Sequence, residues 1–348
     1  MQSGKLAIFA RAVGAAGASV LSLALTLGAA QAQDKTYVMK ITLPTINDAP
    51  HQFAKDFAAA VEKDSGGRIK AEVYPASQLG SIPRMIEGTQ FGSLQVSTIP
   101  PEFYVGVDER FEVMAAPGLV DSIEHGQRVA ADPAVRKLML GLGADKGLHG
   151  VGLMIAQPSC LISKTPIRHL ADFKGKKIRI FASQFQTEAF NRLGVTPVAM
   201  TLGDVLPALQ QGAIDGAIAG IGPFVHLHFV DAAKYVTETN QPAIFLSLEV
   251  SKKWYDALPK DLQDIIDTDG AAVSRSIEPV ALRMYQEQRK AWTDNGGELI
   301  SLPRDEQAEM MRTLVSVGDD VSKTKPALRE AYEIVADAAK RLRQAPSQ

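Results

Sequence analysis

The sequence has one cysteine, no basic tract and, beyond its N-terminal segment, no long apolar run. Cys160 is the single cysteine among 348 residues, so no intramolecular disulfide can form. The chain must be stabilised by its apolar core, and a core of this size is usually divided between two domains. After residue 32, no stretch reaches the ~20 apolar residues that span a bilayer. The formal net charge is −2, and no segment interleaves basic and aromatic residues, so we do not expect nucleic acid as a partner.

The sequence also lacks the common motifs of enzymes. It contains no G-x-S-x-G, no P-loop and no G-x-G-x-x-G, so phosphate and dinucleotide chemistry have no support. His226 and His228 form an H-x-H pair without a cluster of further metal ligands, and we expect both to be ordinary surface or core residues. Cys160 is expected to be a buried, unreactive thiol. We therefore expect no catalytic residue, no bound metal and no cofactor.

The N-terminal segment has the composition of a secretory signal. Lys5 and Arg11 precede an apolar stretch rich in small residues, which is followed by Ala30-Gln31-Ala32. This pattern predicts a signal peptide over residues 1–32 and a mature periplasmic chain that begins at Gln33. The alternative is an uncleaved membrane anchor, for which the apolar stretch is short. Cleavage would remove both basic residues and no acid, so the net charge would become about −4.

The first part of the mature chain alternates between two periodicities. Apolar residues recur at every second position in three short stretches and at every fourth position between them, which predicts strands and helices respectively. The predicted order is strand 37–43, helix around 53–61 ending at Gly66-Gly67, strand 69–73, helix 83–91 and strand 94–99. Such an order is typical of a parallel sheet with helices on its faces.

A second alternating region begins near residue 177. The expected elements are strand 177–181, helix 186–193, strand 197–200, helix 204–211 and strand 213–219, and Thr201 with Asp204 is a variant capping box. A long helical region follows over residues 259–295. Pro279 lies inside it and should kink the helix, because its ring carries no N–H. Apolar residues spaced by threes and fours from Leu328 to Leu342 predict a C-terminal amphipathic helix.

Several blocks of sequence, in this order, resemble one protein family. They are A-E-V-Y-P-A-S-Q-L-G-S at 71–81, L-A-D-F-K-G-K-K-I-R-I at 170–180, Y-V-T-E-T-N at 235–240 and W-Y-D-A-L-P-K-D-L-Q at 254–263. Together they are similar to the solute-receptor (DctP) family of TRAP transporters, extracytoplasmic proteins that capture organic acids. The resemblance covers nearly the whole mature chain.

The resemblance implies a fold. We expect an α/β protein shaped as the two-lobed clamp of periplasmic binding proteins, with mixed, mostly parallel sheets and a long kinked helix that spans both lobes. Lobe one is expected to comprise residues 33–156 with 245–284, and lobe two residues 157–244 with 285–348. We expect the protein to be a monomer.

Arg179 is the first candidate for ligand binding. It lies in the short apolar stretch 178–181, and a charge that is costly to desolvate is usually retained because an anion meets it. The alternative is a structural arginine that pairs with an acid across the lobe. The resemblance favours the first reading, since the arginine of the corresponding family motif forms the salt bridge to the ligand carboxylate.

Other pocket positions depart from the family pattern. A second pocket arginine of many relatives falls at Ser159, and the usual asparagine falls at Ala219. A glutamate falls at Pro100, with Glu102 two residues later, and a polar position falls near Leu246. The remaining expected ligand-binding residues are Phe181 and Phe224, which adjoin matched segments, and Asn47 in the loop 44–50. Such a pocket keeps its carboxylate anchor and loses polar lining, so a small or partly apolar acid should fit better than a sugar acid or a dicarboxylate.

The expected function is capture of a small organic acid and its delivery to a TRAP membrane permease. Two alternatives remain open at this point. One is a receptor that passes the ligand signal to a membrane signalling protein. The other is an exported enzyme that holds a carboxylate substrate, which needs a general base near Arg179. The acids available for that role are Asp172, Glu188, Asp204 and Asp215, and none stands in a recognisable catalytic pattern.

Overall fold

The structure, a computed structural model, describes residues 35–343. The predicted signal peptide lies outside the described residues. Within the described range, no helix has both the length and the apolar character needed to span a membrane.

The described residues form two β-sheets and thirteen α-helices. The strands are β1 Tyr37–Thr42, β2 Ile69–Tyr74, β3 Val96–Ile99, β4 Leu148–Pro158, β5 Cys160–Ser163, β6 Lys177–Ile180, β7 Thr196–Ala199, β8 Gly216–Ala219, β9 Tyr235–Glu238, β10 Ala243–Ser251 and β11 Glu298–Ser301. The helices are α1 Ala49–Asp64, α2 Ile82–Phe91, α3 Ile123–Ala131, α4 Pro133–Gly141, α5 Gln184–Arg192, α6 Leu202–Gln211, α7 Ile221–His226, α8 Lys252–Asp256, α9 Lys260–Ser276, α10 Glu278–Asp294, α11 Arg304–Leu314, α12 Val317–Ser322 and α13 Pro326–Leu342. Short 3₁₀ segments lie at Pro101–Tyr104, Glu109–Ala115, Ala144–Lys146, Leu170–Phe173 and Phe229–Asp231.

Local sequence signals account for the first helix. Asp48 is the N-cap of α1 and accepts a hydrogen bond from the His51 backbone, and a proline occupies the first turn. The apolar residues at spacing four are buried, and the helix ends before two glycines with positive φ, Gly66 and Gly67. The predicted helix is therefore confirmed, as are the strands on either side of it.

The two sheets are mixed, with most strands in each running the same way. The first sheet has the order β2-β1-β3-β10-β4, and β10 runs antiparallel to both neighbours. The second has the order β11-β9-β5-β8-β6-β7, and β5 runs antiparallel to both neighbours. The pairs β1–β3, β6–β7, β6–β8 and β9–β11 are parallel. The predicted α/β fold with two mixed sheets is confirmed.

The chain passes between the sheets at two junctions of strands. β4 of the first sheet leads through Ser159 directly into β5 of the second, and β9 leads through residues 239–242 into β10 of the first. The two junctions are bonded to each other, because the Ser159 backbone N–H donates to the carbonyl of Pro242 at 3.1 Å. β5 and β10, the strands that run antiparallel to their neighbours, are thus the first strands that the chain forms after each crossing.

The long helical region is interrupted rather than kinked. α9 ends and α10 begins on either side of Ile277, two residues before Pro279, which lies in the first turn of α10. α9 packs on β4 and α1, whereas α10 packs on α7 and contacts both β4 of the first sheet and β11 of the second. The region therefore spans both sheets as predicted, with a break where a kink was expected.

The final helix is amphipathic, as predicted. Its buried stripe is Leu328, Ala331, Val335, Ala338 and Ala339. The stripe packs against α3, α4 and the segment Glu109–Ala115, which precede the first junction between the sheets. The lobe boundaries stay a prediction.

One predicted cap is wrong in detail. Thr201 is the residue before α6, but its side chain accepts no hydrogen bond from the helix backbone. Its hydroxyl instead donates to the Asp204 carboxylate at 2.7 Å.

Candidate functional site

A cavity lies where the carboxyl ends of strands from both sheets come together. It is lined from the first sheet by residues after β1 and β3, by the end of β4 and by the start of β10. The second sheet contributes the ends of β6 and β8 and the first residue of α6. The space open to the centres of water molecules is about 50 Å³. Open α/β sheets bind ligands at this edge, so the position alone makes the cavity a candidate site.

Arg179 is the cationic residue of the cavity wall. β6 lies between β7 and β8, so the side chain is covered by neighbouring strands and is 1% exposed. Nε donates to the carbonyl of Met200 at 2.9 Å, and Nη1 donates to the carbonyl of Ile218 at 2.7 Å. The guanidinium carbon lies 4.7 Å from the ring centre of Phe181 and 6.0 Å from that of Phe103. Two carbonyls and two aromatic faces thus fix the orientation of the guanidinium.

The charge of Arg179 is not neutralised by a contact. Within residues 35–343 no carboxylate oxygen lies within 4.0 Å of its nitrogens, and two of its five N–H groups donate to protein acceptors. Burial lowers the pKa of Arg179 to about 9, and the more distant Glu102 and Asp204 oppose that shift. A buried guanidinium with unused donors is an anion-binding group.

Glu102 is a buried acid whose charge acts on this arginine without contact. It lies in the 3₁₀ segment Pro101–Tyr104 and is 1% exposed. Oε1 accepts a long hydrogen bond of 3.5 Å from Gln186, and Oε2 has no partner among the described residues. Burial raises the pKa of Glu102 to about 8, with a further raising effect from Glu112 and a lowering effect from Arg179. Glu102 therefore balances Arg179 only partly and is largely protonated at neutral pH.

Asp48 is a second acid in the cavity wall. Oδ1 accepts the hydroxyl of Thr45 at 2.9 Å and the backbone N–H of His51 at 3.1 Å. Oδ2 is buried and has no partner in the described part of the chain. Burial raises the pKa of Asp48 to about 7, although the two hydrogen bonds act against this shift.

Gln157 is the third polar group of the lining. Its Oε1 accepts the backbone N–H of Ile221 at 2.9 Å, which joins β4 of the first sheet to the start of α7. Nε2 makes no hydrogen bond with the residues that the structure describes. A Cβ on Gly220 would clash with Nε2, so this glycine is required for the close approach of the amide. The Gln157 amide is thus held with its donor group unused.

Apart from Thr45, whose hydroxyl is bonded to Asp48, the side chains of the rest of the lining are apolar. Phe103 and Phe181 contact each other with ring centres 5.2 Å apart. The other apolar lining residues are Pro44, Pro50, Ile82, Pro100, Ala156, Leu202, Ala219, Pro223, Ile244 and Leu246. An anion held by Arg179 would therefore have its remaining atoms in an apolar environment.

The structure brings four of the predicted ligand-binding residues to this cavity: Arg179, Phe181, Ala219 and Leu246. Glu102 lies outside the lining but acts on Arg179 through its charge.

The other three predicted residues lie elsewhere. Phe224 is buried against Phe229 and Trp292 in the core of the second sheet, because α7 directs it away from the cavity. Ser159 occupies the junction between β4 and β5, where its buried hydroxyl has no partner in the described chain. Asn47 is exposed, and its backbone N–H donates to the His51 ring.

Sequence reasoning missed Asp48, Gln157 and Phe103. Asp48 precedes an Ala-Pro helix start and could have been recognised as an N-cap. Nothing in the sequence indicates that its second carboxylate oxygen is left without a partner. Gln157 lies two residues before Ser159, the position to which the family comparison assigned a polar pocket residue.

The acids considered as candidate bases mostly have structural partners. Asp172 accepts the backbone N–H groups of Arg168 and His169, and Asp215 accepts that of Lys177. Glu188 pairs with Arg192 at 2.8 Å. Asp204 accepts the Thr201 hydroxyl, and it acts on Arg179 only through long-range electrostatics.

Residues 35–343 contain no arrangement of side chains suited to metal binding, and their cysteine is not activated. No group of three or more His, Cys, Asp or Glu residues there is placed to hold a metal ion. Cys160 is buried as predicted, and burial raises the pKa of its thiol far above the ordinary range.

Comparison with known proteins agrees with this geometry. The model of the family described as bacterial extracellular solute-binding protein, family 7 (DctP), matches residues 43–324. The C4-dicarboxylate-binding periplasmic protein DctP of Rhodobacter capsulatus is 28% identical over 312 residues, which are 88% of this chain and 92% of that protein.

Solved structures share the fold. A TRAP periplasmic solute binding protein from Desulfovibrio salexigens, with bound orotic acid, matches with a TM-score of 0.82 at 21% identity, over 88% of this chain and 100% of that one. The sugar acid binding protein DctPAm from Advenella mimigardefordensis, in complex with galactonate, matches with a TM-score of 0.83 at 21% identity, over 89% and 99%. The two-lobed fold, the cavity and the family match lead to one conclusion: the chain belongs to family 7 of the bacterial extracellular solute-binding proteins.

Proposed function

We propose that this protein captures a small organic acid, as its carboxylate, in the cavity beside Arg179 and delivers it unchanged to a TRAP permease. The observation that supports the proposal most strongly is the state of Arg179, which is 1% exposed and has no carboxylate within contact distance in the described chain. A buried charge without a partner is costly, and an incoming carboxylate would remove that cost.

The donors available suit one carboxylate. The unused N–H groups of the guanidinium can hold both oxygens in a bidentate pair, which supplies energy and orientation together. Gln157, whose Nε2 is also unused, is placed in the same lining and can donate to either oxygen. Gln157 would then take the part that a second arginine plays in many relatives.

The lining favours a monocarboxylic acid. The names of related proteins mention C4-dicarboxylates, orotic acid and galactonate, so the family accepts varied acids. In this chain one cation stands among prolines, aromatic rings and aliphatic side chains. A second carboxylate would be buried without a cationic partner, which is strongly unfavourable.

Capture would involve closure of the two sheets around the acid. The junctions at Ser159 and at residues 239–242, with the helix break at Ile277, are the points at which the chain passes between them. Rotation about such junctions is the hinge movement of periplasmic binding proteins. The closed form is the state that the permease would recognise. We infer that residues 1–32 direct export and that the mature protein acts as a monomer.

The test is ligand binding by the purified mature chain. We expect saturable one-to-one binding of a monocarboxylic acid in calorimetry, and recovery of the acid unchanged. An acid present at ~100 times its dissociation constant should stabilise the fold by about 2.7 kcal/mol, which makes thermal shift a suitable first screen. Failure of every acid to bind would overturn the proposal, and turnover of a bound acid would move the assignment to an enzyme.

A further inference from the structure

The cavity has a second polar feature, the Asp48 carboxyl group. Asp48 belongs to the loop between β1 and α1 of the first sheet, whereas Arg179 belongs to β6 of the second. The acids whose charge acts on Arg179 are Glu102 and Asp204, and Asp48 is not among them. Asp48 and Arg179 therefore line the same cavity from elements of different sheets.

The second oxygen of Asp48 has no role in the helix. Oδ1 alone caps α1 and accepts Thr45, and Oδ2 is left buried without a partner. Other helices of this protein are capped by a side chain with one oxygen. Ser122 accepts from the His125 backbone at the start of α3, and Ser183 accepts from the Gln186 backbone at the start of α5. A serine would thus satisfy the helix, so the extra buried acceptor needs another explanation.

We propose that Asp48 recognises a hydroxyl group of the captured acid, remote from its carboxylate. The substrate class would then be a hydroxy-monocarboxylic acid with an apolar body, held by Arg179 at one end and by Asp48 Oδ2 at the other. This inference rests on the proposed function, because it assigns the carboxylate end to Arg179.

A hydroxyl suits this position better than a charged group. Since burial brings the pKa of Asp48 near neutrality, the side chain can accept a hydrogen bond when ionised and donate one when protonated. A hydroxyl can take either part. A second carboxylate would be repelled by the ionised form. An ammonium group has three N–H donors to satisfy, and beside Asp48 the lining side chains offer it one further acceptor, the Thr45 hydroxyl.

The experiment compares matched acids by calorimetry. The pairs are hexanoate with 6-hydroxyhexanoate, butyrate with 4-hydroxybutyrate, and benzoate with 4-hydroxybenzoate, together with 6-aminohexanoate and adipate. In the wild-type protein we expect the hydroxylated member of at least one pair to bind about tenfold or more tightly than its partner, as one hydrogen bond to a charged group allows. The amino acid and the diacid should bind more weakly than that hydroxy acid.

The Asp48→Ser variant keeps an oxygen for the cap and removes Oδ2. We expect the preference for the hydroxylated acid over its unhydroxylated partner to fall to within about threefold. Asp132→Ser is the matched control, because Asp132 caps α4 away from the cavity. This variant also loses the ion pair between Asp132 and Arg341, so it should be destabilised at least as much as Asp48→Ser and still keep the full preference.

The outcomes separate the two proposals. Equal binding of both members of every pair by the wild type overturns the role of Asp48 and leaves carboxylate capture intact. An unchanged preference for the hydroxylated acid in Asp48→Ser also overturns the role of Asp48 and leaves carboxylate capture intact. If no acid binds, the proposed function itself fails. Should Asp48→Ser not fold, a crystal structure of the wild type with its preferred hydroxy acid decides, since the hydroxyl oxygen must lie within about 3.2 Å of Asp48 Oδ2.

Discussion

Two arginines of the second sheet region, Arg179 on β6 and Arg192 at the end of α5, satisfy their charges in opposite ways. The side chain of Arg192 is 21% exposed and pairs with two carboxylates, Glu188 and Asp320, at 2.8 Å each. Arg179 is far more buried, yet its protein partners are two neutral carbonyl oxygens and two aromatic rings. The arginine with the greater need of a counter-charge is the one that lacks it.

The difference separates an arginine that holds structure from one that holds a ligand. The side-chain hydrogen bonds from Arg192 to Asp320 and Glu188 raise the pKa of Arg192, whereas burial lowers that of Arg179. A protein gains nothing in stability from a buried charge that it leaves unpaired. Such a residue is retained because a bound anion neutralises its charge. An arginine that is already paired with carboxylates near the surface gives no comparable indication of ligand binding.

The largest effect is expected on replacing Arg179. Arg179→Ala leaves the ligand carboxylate to be desolvated without a partner, at a cost of ~2–5 kcal/mol in binding. This corresponds to a roughly 30-fold to several thousandfold loss of affinity. Arg179→Lys should recover little, because an ammonium cannot reproduce the planar fork of donors. The measurement is calorimetric affinity for the best ligand of the wild type.

Arg192→Ala is the control for this change, since it also removes a guanidinium from the same region. Its affinity should stay within about twofold of the wild type. Melting temperatures of all variants report whether they fold. Binding by either Arg179 variant within threefold of the wild type would make Arg179 a structural residue like Arg192 and remove the contrast between them.

A smaller effect is expected from pH, through Glu102. Burial raises the pKa of free Glu102 to about 8, and a bound carboxylate adds negative charge nearby, which raises this pKa further. The complex then holds the proton more tightly than the free protein, so binding is favoured at low pH. Below about pH 7 Glu102 is protonated in both states, so its contribution to the affinity is constant. Above about pH 8 the affinity should fall, by at most tenfold per pH unit.

Glu102→Gln tests the assignment, because it keeps the shape of the protonated side chain and cannot ionise. We expect this variant to bind with the same affinity, within about threefold, at pH 7 and at pH 9. The other groups that could respond to pH are Glu112 and Arg179, which act on Glu102, and Asp48 in the cavity wall. An equal fall in the variant would assign the pH dependence to one of them instead of Glu102.

The smallest effect is expected on stability when Arg192 is replaced. Arg192 joins α5 to α12 through Asp320 and Ser316, and it donates to the carbonyl of Thr313. Because these groups are partly exposed, solvent weakens the ion pairs, and Arg192→Ala should lower the free energy of unfolding by ~1 kcal/mol in urea titrations. The difference should shrink in high salt. A salt-independent loss of several kcal/mol would show that Arg192 acts through packing.

The structural features that could be predicted from the sequence are those that depend on residues close together in the chain. Strand and helix periodicities, the C-terminal helix and the buried position of Arg179 all follow from the pattern of apolar residues. The break at Ile277 was predicted as a kink because the pattern shows that Pro279 disturbs the helix but not how the two halves pack.

The rest of the site depends on contacts between distant segments. Gln157 becomes a cavity residue because Ile221, 64 positions later, holds its amide in place. Phe224 was expected in the pocket because its neighbours in sequence are there, but α7 directs it to Trp292. The unpaired oxygen of Asp48 is visible only when every group around it has been placed, so no local pattern reveals it.

The position of β10 determines when the first sheet can form. β10 lies between β3 and β4, and Ser247 pairs with Ile99 on one side and Leu153 on the other. A ribosome releases the chain from its N-terminus, so β3 and β4 emerge long before residues 243–251 and have no partner to join them. Pairings across so many residues are slow to form. We therefore expect the first sheet to close only after most of the chain has been made, and a chain that folds late is one that can be threaded across a membrane before it folds.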